Sequence, residues 1–327
     1  AYGGEGGQFG REYLIPAPFD PRLILKIAPA VAKAAMESGV ATRPIQDLNA
    51  YQETLTQLVY RSNMFMKPVF GEAKRHPKRV VYAEGEDERV LQAIQAVIDE
   101  GLATPILIGR PSVINSRIQK LGLRIEEGRD FSITNPESDS RYRDYWSLYY
   151  QIMQRKGISI DTAKRDVMRS TTHIAALLVN RGEADAMICG TYGAYLRHLQ
   201  VIENVLGHKQ NHHTFAAMNG LMLPQGNLFI TDTYVNPDPT AEELAEITLM
   251  AANVVRRFGI EPKVALLSHS NFGSSQAPSA QKMRQLLNLL KQQAPDLMAE
   301  GEMQGDAALS EELRRLAFPN ANYLQVA

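Results

Sequence analysis

The feature that most constrains this chain is an alternation of short apolar runs with amphipathic helical stretches that begins at Arg79. Val80 to Ala83 and Pro105 to Ile108 read as strands. Between them, Glu84-Gly-Glu-Asp-Glu88 leads into a helix that closes at Gly101. Acidic residues in that first turn suit the positive end of the helix dipole. Pro111 to Leu121 reads as a helix, Phe131 to Thr134 as a third strand, and Asp185 to Gly190 as a short strand stopping on glycine. Tyr142 to Arg155, carrying Trp146, and stretches near Asp161–Met168 and His173–Arg181 supply further helices. Strands joined by helical crossovers run parallel and bury both faces, so the pattern predicts a three-layer αβα fold with a mostly parallel sheet.

The second half continues the rhythm with a hairpin inserted. Thr191 to His198 is a loop, Leu199 to Leu206 a helix, and the polar run Gly207 to His213 crosses to a strand over Phe215 to Leu223. Gly226 turns into a second strand, Asn227 to Asp232. Thr240 caps a helix over Ala241 to Phe258, and Glu243 completes a capping box. Val264 to Leu267 then reads as a strand buried on both faces, followed by Ser268-His-Ser-Asn-Phe-Gly-Ser-Ser275 and a helix from Pro278 or Ser279. Strand, Ser/Gly loop and helix is how an open α/β sheet builds an anion pocket, with loop N–H groups and a helix N-terminus beyond the strand's carboxyl end. An ordinary strand-to-helix connection has the same outline.

Ahead of Arg79 no strand is expected. Asp20-Pro21 opens a helix to about Ser38, kinked or restarted at Pro29, that Gly39 closes; a second helix covers Asp47 to Met66, and Pro68 to Lys78 reads as a linker. The 327 residues suit about two domains. A net charge of -1, with no basic block beyond Lys74 to Arg79, argues against a nucleic-acid partner. The single cysteine, Cys189, precludes an internal disulfide and suits a reducing compartment. No apolar run approaches the roughly 18 residues of a membrane span, and no signal peptide is recognisable, so a cytoplasmic protein without membrane contact is expected.

Several residues have both a bland and a functional explanation. Cys189 fits a buried inert thiol better than a reactive one. His212-His213 lacks the accompanying carboxylates or thiolates of a metal site. Tyr142, Tyr145, Trp146, Tyr149 and Tyr150 recur at helical spacing and fit a packed face better than an adenine platform. Arg155, Lys156 and Arg165 suit phosphates by charge but are ordinary surface residues by default. Asp306 either orients a ligand or caps a helix. Gly3, Gly4, Gly6 and Gly7 do not follow a strand and form no dinucleotide fingerprint.

Five ordered segments carry a resemblance. Arg79-Val-Val-Tyr-Ala-Glu-Gly-Glu-Asp-Glu-Arg-Val90, Arg181-Gly-Glu-Ala-Asp-Ala-Met-Ile-Cys-Gly190, Asp238-Pro-Thr-Ala-Glu-Glu-Leu-Ala-Glu-Ile247, Phe258 to Ser268 and Gly301-Glu-Met-Gln-Gly-Asp-Ala-Ala-Leu309 together resemble the phosphate acetyltransferase family. Upstream, Phe9 to Pro16 and Phe19 to Ala41 resemble the end of a bacterial malic enzyme domain, and the combination is similar to the hybrid NADP-dependent malic enzymes.

The resemblance implies a division into a malic enzyme tail (1–40), a helical connector (41–78) and two αβα subdomains around a cleft (79–190 and 191–327). It also implies a regulatory module that binds acetyl-CoA, joins homo-oligomers and restrains malate decarboxylation by a catalytic domain of the same polypeptide. The malate, NADP and divalent-metal sites are expected upstream, with no metal or cofactor held by this chain itself. Ser268, Ser270, Asn271, Phe272, Gly273, Ser274, Thr191, Tyr192, Tyr195 and Asp306 are the expected acetyl-CoA-binding residues.

Departures from the family decide against catalysis. Thr191 to His198 is shorter than the family's loop and carries two tyrosines in place of its aspartate. The family's catalytic Ser, Arg and Asp belong to a last segment expected beyond Ala327, so no catalytic residue is assigned. The competing expectation is an active transferase converting acetyl-CoA and phosphate to acetyl phosphate and CoA. A purely oligomeric role is a third, suggested by the apolar Ile24 to Ala35 helix.

Overall fold

A computed structural model describes residues 21–223 and 226–319. The glycine-rich start, the proline-rich stretch from Ile15 and the Asp20 cap lie outside the described residues. Helix α1 (Pro21–Glu37) runs through Pro29, and α2 (Leu48–Arg75) starts where the Asp47 carboxylate accepts the Asn49 and Ala50 N–H groups. The linker expected over Pro68 to Lys78 is instead mostly helical, because α2 continues through Pro68 to Arg75. Its last turn carries the Arg75–Glu72 pair, and Lys74 Nζ lies 2.7 Å from Glu100.

The first sheet has the order β3-β2-β1-β4, from β1 (Lys78–Tyr82), β2 (Ala103–Ile108), β3 (Ser132–Thr134) and β4 (Ala186–Ile188), and every adjacent pair is parallel. Side-chain alternation along these strands sends neighbours to opposite faces. Tyr82 and Leu107 pack with Leu91 and Ile94 of α3 (Glu88–Asp99) and Ile114 and Ile118 of α4 (Pro111–Leu121). Val81 and Ile108 join the other core with Tyr145 and Tyr149 of α5 (Tyr142–Met153), Val167 of α6 (Ile160–Arg169) and the run Ile174 to Leu178 of α7 (Thr171–Asn180). This is the expected three-layer αβα arrangement, and the aromatic helix is a packed face. Each fully buried Leu or Ile contributes about 1.5–3 kcal/mol relative to exposure.

The chain divides into two compact units after Gly207. Helix α8 (Tyr195–Val205) starts earlier than the expected Leu199, and its Val201 and Val205 are buried in the α5–α7 core. It therefore belongs to the first unit, although the subdomain boundary was expected at Gly190.

In the second unit, β5 (Met218–Leu223) and β6 (Gly226–Thr231) form the antiparallel hairpin. Helix α9 (Ala241–Arg257) begins at the predicted Thr240–Glu243 capping box. Strand β7 (Lys263–Leu267) leads through the Ser/Gly loop to α10 (Pro278–Gln293) and returns as β8 (Met298–Met303), parallel to β7. Leu266 and Ala299 pack beneath α9 and α10 with Ala245, Ala252, Leu286 and Leu290. Ala265 and Met303 face Ala307 of the short helix α11 (Gly305–Leu309), beyond which lies α12 (Glu311–Ala317). Two expectations need correction. Strand β8 was not expected, because Met-Ala-Glu-Gly-Glu-Met lacks β-branched residues and carries two acids. Strand β7 is not buried on both faces, since Leu267 is 50% exposed. Among the described residues no helix is long and apolar enough to cross a membrane.

Candidate ligand-binding loops

The Ser268–Ser275 loop is held by the segment that begins at Glu302. Ser268 N–H donates to Met303 O at 2.8 Å and Phe272 N–H donates to Glu302 O at 2.8 Å. Asn271 and Gln304 bond reciprocally, Nδ2 to Oε1 at 3.0 Å and Gln304 N–H to Asn271 Oδ1 at 2.7 Å. Gln304 Nε2 also donates to His269 O at 3.0 Å. The sharp turn falls at Phe272 (φ 42°) and Gly273 (φ 89°), two successive left-handed residues. Such a conformation is costly for a side chain as bulky as phenylalanine. The Phe272 ring is anchored against Phe318, with centroids 4.7 Å apart.

Beneath this turn Glu302 is fully buried. Its Oε1 accepts Gly273 N–H at 2.9 Å and Arg284 Nη1 at 2.7 Å, and Arg284 Nη1 also donates to Ser275 O at 3.1 Å. Ser268 Oγ, Ser270 Oγ and Glu302 Oε2 are buried without a hydrogen-bond partner. Folded proteins leave few such atoms, so three around one loop mark a site with unused polar capacity. Helix α10 starts after Ala277 without a side-chain cap, and Pro278 in its first turn has no N–H to satisfy. Asp306 is exposed, and its Oδ1 accepts the adjacent Ala307 N–H at 2.7 Å, which ties it to the start of α11.

Thr191, Tyr192 and Tyr195 lie in the first unit, at the carboxyl ends of β1 and β4. The sheet order reverses there, and ligands of open α/β sheets bind at such switch points. Buried Glu84 accepts Gly190 N–H at 3.0 Å through Oε1 and Thr191 Oγ1 at 3.3 Å through Oε2. Arg89 Nη2 donates to Thr191 O at 3.2 Å. His198 Nε2 lies 2.9 Å from Tyr192 O, so this nitrogen carries the proton and Nδ1 accepts Thr172 Oγ1 at 2.9 Å. Gly193 (φ 98°) fits under that imidazole, where a Cβ would come within 2.9 Å of Nε2. Tyr192 and Tyr195 remain exposed, and Tyr195 is the first residue of α8. The expected ligand residues therefore form two groups, one in each unit.

Burial, with the Glu84 charge adding to it, pushes the half-buried Cys189 thiol up to about 11, which suits an inert cysteine. His212 Nδ1 lies 3.1 Å from Glu246 Oε1, and among the described residues no group of three or more His, Cys, Asp or Glu is placed to hold a metal ion. Arg155, Lys156 and Arg165 are exposed. Glu302, Arg284, Gln304, Glu84 and His198 are the structural partners that sequence patterns did not single out. Glu302 and Gln304 sit inside the Gly301–Leu309 segment, where charged residues among apolar ones were the available signal.

The family model for phosphate acetyl/butaryl transferases matches residues 64–327. The chain is 61% identical over 322 residues to the NADP-dependent malic enzyme of Escherichia coli (strain K12), covering 98% of this chain and 42% of that protein. It thus spans less than half the length of that relative. It is also 33% identical over 261 residues to the phosphate acetyltransferase of Clostridium acetobutylicum, covering 76% of each. The crystal structure of a phosphotransacetylase from Streptococcus pyogenes matches with a TM-score of 0.72 and 27% identity, covering 80% of each chain. By the family match over most of its length, the parallel three-layer sheet and the agreement with a solved phosphotransacetylase, this chain belongs to the phosphate acetyl/butaryl transferase family.

Proposed function

We propose that this chain is the acetyl-CoA-sensing, catalytically silent part of an NADP-dependent malic enzyme. The observation that carries this is the alignment of 98% of the chain, at 61% identity, with 42% of a protein named for malate chemistry. A transferase fold attached to a different enzyme is placed to report on a transferase's ligand. Catalytic silence is supported by the short Thr191–His198 loop, whose Thr191 hydroxyl and Tyr192 carbonyl are already engaged by Glu84 and His198. The Arg284 guanidinium is likewise committed to Glu302 and the Ser275 carbonyl instead of standing open to a phosphate.

Malate, NADP and a divalent metal belong, on this proposal, to a catalytic part of the same cytoplasmic polypeptide outside these residues. Acetyl-CoA acts by preferring one arrangement of a homo-oligomer, since a ligand that binds both equally shifts nothing. A tenfold preference corresponds to about 1.4 kcal/mol of coupling. The family match to phosphate acetyltransferases favours a second function, acetyl transfer between CoA and phosphate.

Calorimetric titration with acetyl-CoA, beside free CoA, tests the proposal. Saturable binding preferring the acetylated form, with no acetyl-CoA made from acetyl phosphate and CoA, is the expected result. Steady acetyl-CoA formation would replace it with the transferase function, and no binding would leave an assembly role.

A further inference from the structure

The β7–β8 pair loses its regular register at one place. Leu266 pairs with Gly301, but Leu267 pairs with Met303, so Glu302 is an extra residue on β8. A bulge of this kind re-aims the side chain it carries. Gly301 makes it possible: φ is 147°, and a Cβ would lie 2.7 Å from Leu266 O. The bulged Glu302 is fully buried, yet one of its oxygens has no partner, a poor arrangement for stability alone. What it touches is the turn of the Ser/Gly loop: its carbonyl takes Phe272 N–H and its Oε1 takes Gly273 N–H. Arg284, from α10, closes the other side by bonding both Glu302 Oε1 and the Ser275 carbonyl.

We propose that Glu302 is a positioning residue. Presented by the bulge and braced by Arg284, it fixes Phe272 and Gly273 in the left-handed turn and so sets the shape in which the Ser268–Ser274 loop meets its ligand. The loop half of this inference stands on the geometry, and the ligand half rests on acetyl-CoA being what the loop binds. A carboxylate suits the task because one oxygen can accept a backbone N–H and a guanidinium together, whereas an apolar residue of the same bulk would fill the space and leave the Gly273 N–H unheld.

The test compares the unsubstituted 327-residue chain with Glu302→Met, which keeps the bulk, and Glu302→Gln, which keeps an acceptor oxygen. Amide exchange at Gly273 is read with acetyl-CoA affinity, with the amides of α9, in the same unit as Glu302, as an internal control for folding. In Glu302→Met, Gly273 exchanges about tenfold or more faster and acetyl-CoA binds about tenfold or more weaker, the change expected for one lost charge-assisted bond. Glu302→Gln restores most of both, and the control amides do not move. Unchanged Gly273 exchange in Glu302→Met overturns the inference whatever the ligand does. A loosened loop with unchanged affinity overturns the ligand half. If the unsubstituted chain binds no acetyl-CoA, the proposed function falls separately and the exchange data alone decide the role of Glu302.

Discussion

Gly301→Ala probes the bulge directly, and its cost can be worked from two distances and an angle. The added methyl would lie 2.7 Å from Leu266 O and 2.8 Å from Leu266 Cβ, and both atoms belong to the paired strand β7, not to the end of a flexible side chain. Relief requires the strands to part, and overpacking of this kind costs about 1–3 kcal/mol. The backbone at φ 147° adds strain of about 1–3 kcal/mol for any residue with a Cβ. Partial relaxation leaves an expected loss of about 2–4 kcal/mol in the stability of the β7–β8 pair, or about 30- to 1000-fold faster amide exchange there. Exchange followed by mass spectrometry on peptides spanning 263–267 and 298–303, against peptides from β1 and β2, reads that number. A loss below about 0.5 kcal/mol, the range of an innocuous surface change, would refute the close approach and with it the bulge that presents Glu302.

Two further outcomes follow from buried titratable groups. His173 is held below its ordinary pKa by burial, opposed by Asp166, with its ring edge-on to Tyr149 at 4.9 Å. The folded state therefore binds the proton less readily than the unfolded chain. Stability is full above about 6.5 and declines as pH falls from there toward the lowered folded value. Melting temperatures at pH 7.5 and 5.5 should fall less in His173→Phe than in the parent, and an equal fall would refute the assignment. Cys189, pushed up to about 11 from the ordinary 9.0, should react with a thiol reagent at pH 8 about a hundredfold more slowly than in the denatured chain. Equal rates would show that the thiol is not protected.

The first unit was legible because each signal was local. The acid-rich opening of α3, Pro111 at the start of α4 and the apolar runs of β1 and β2 announce themselves within a few residues. In α5 the aromatic spacing already indicated the packed face found at Tyr145 and Tyr149. Legibility failed where a partner distant in sequence decides the structure. Strand β8 is a strand because β7 is beside it, and nothing in Met298–Met303 alone favours the extended state. Helix α2 passes a proline that local propensity treats as a stop, and its Lys74 pairs with Glu100. The Ser/Gly loop was found by its composition. Glu302, which organises it, was hidden because burial of a carboxylate is justified only by Gly273 and Arg284, one in the loop and one on the following helix.

The position of β4 has a consequence for how the first unit comes to be folded. β1 pairs with β2 across a short crossover, but its other side waits for Ala186–Ile188. The bonds that seat β4 span 106 residues, from Asp185 to Arg79 at one end and from Gly190 to Glu84 at the other. Closing so long a loop is slow compared with forming the neighbouring β1–α3–β2 crossover unit. During synthesis, then, the β4-facing edge of Val80, Val81 and Tyr82 stays unpaired until more than a hundred further residues have emerged, roughly 5–20 s at ordinary elongation rates. That interval is when this chain is most open to pairing with the wrong strand, and truncations ending before Ala186 should aggregate.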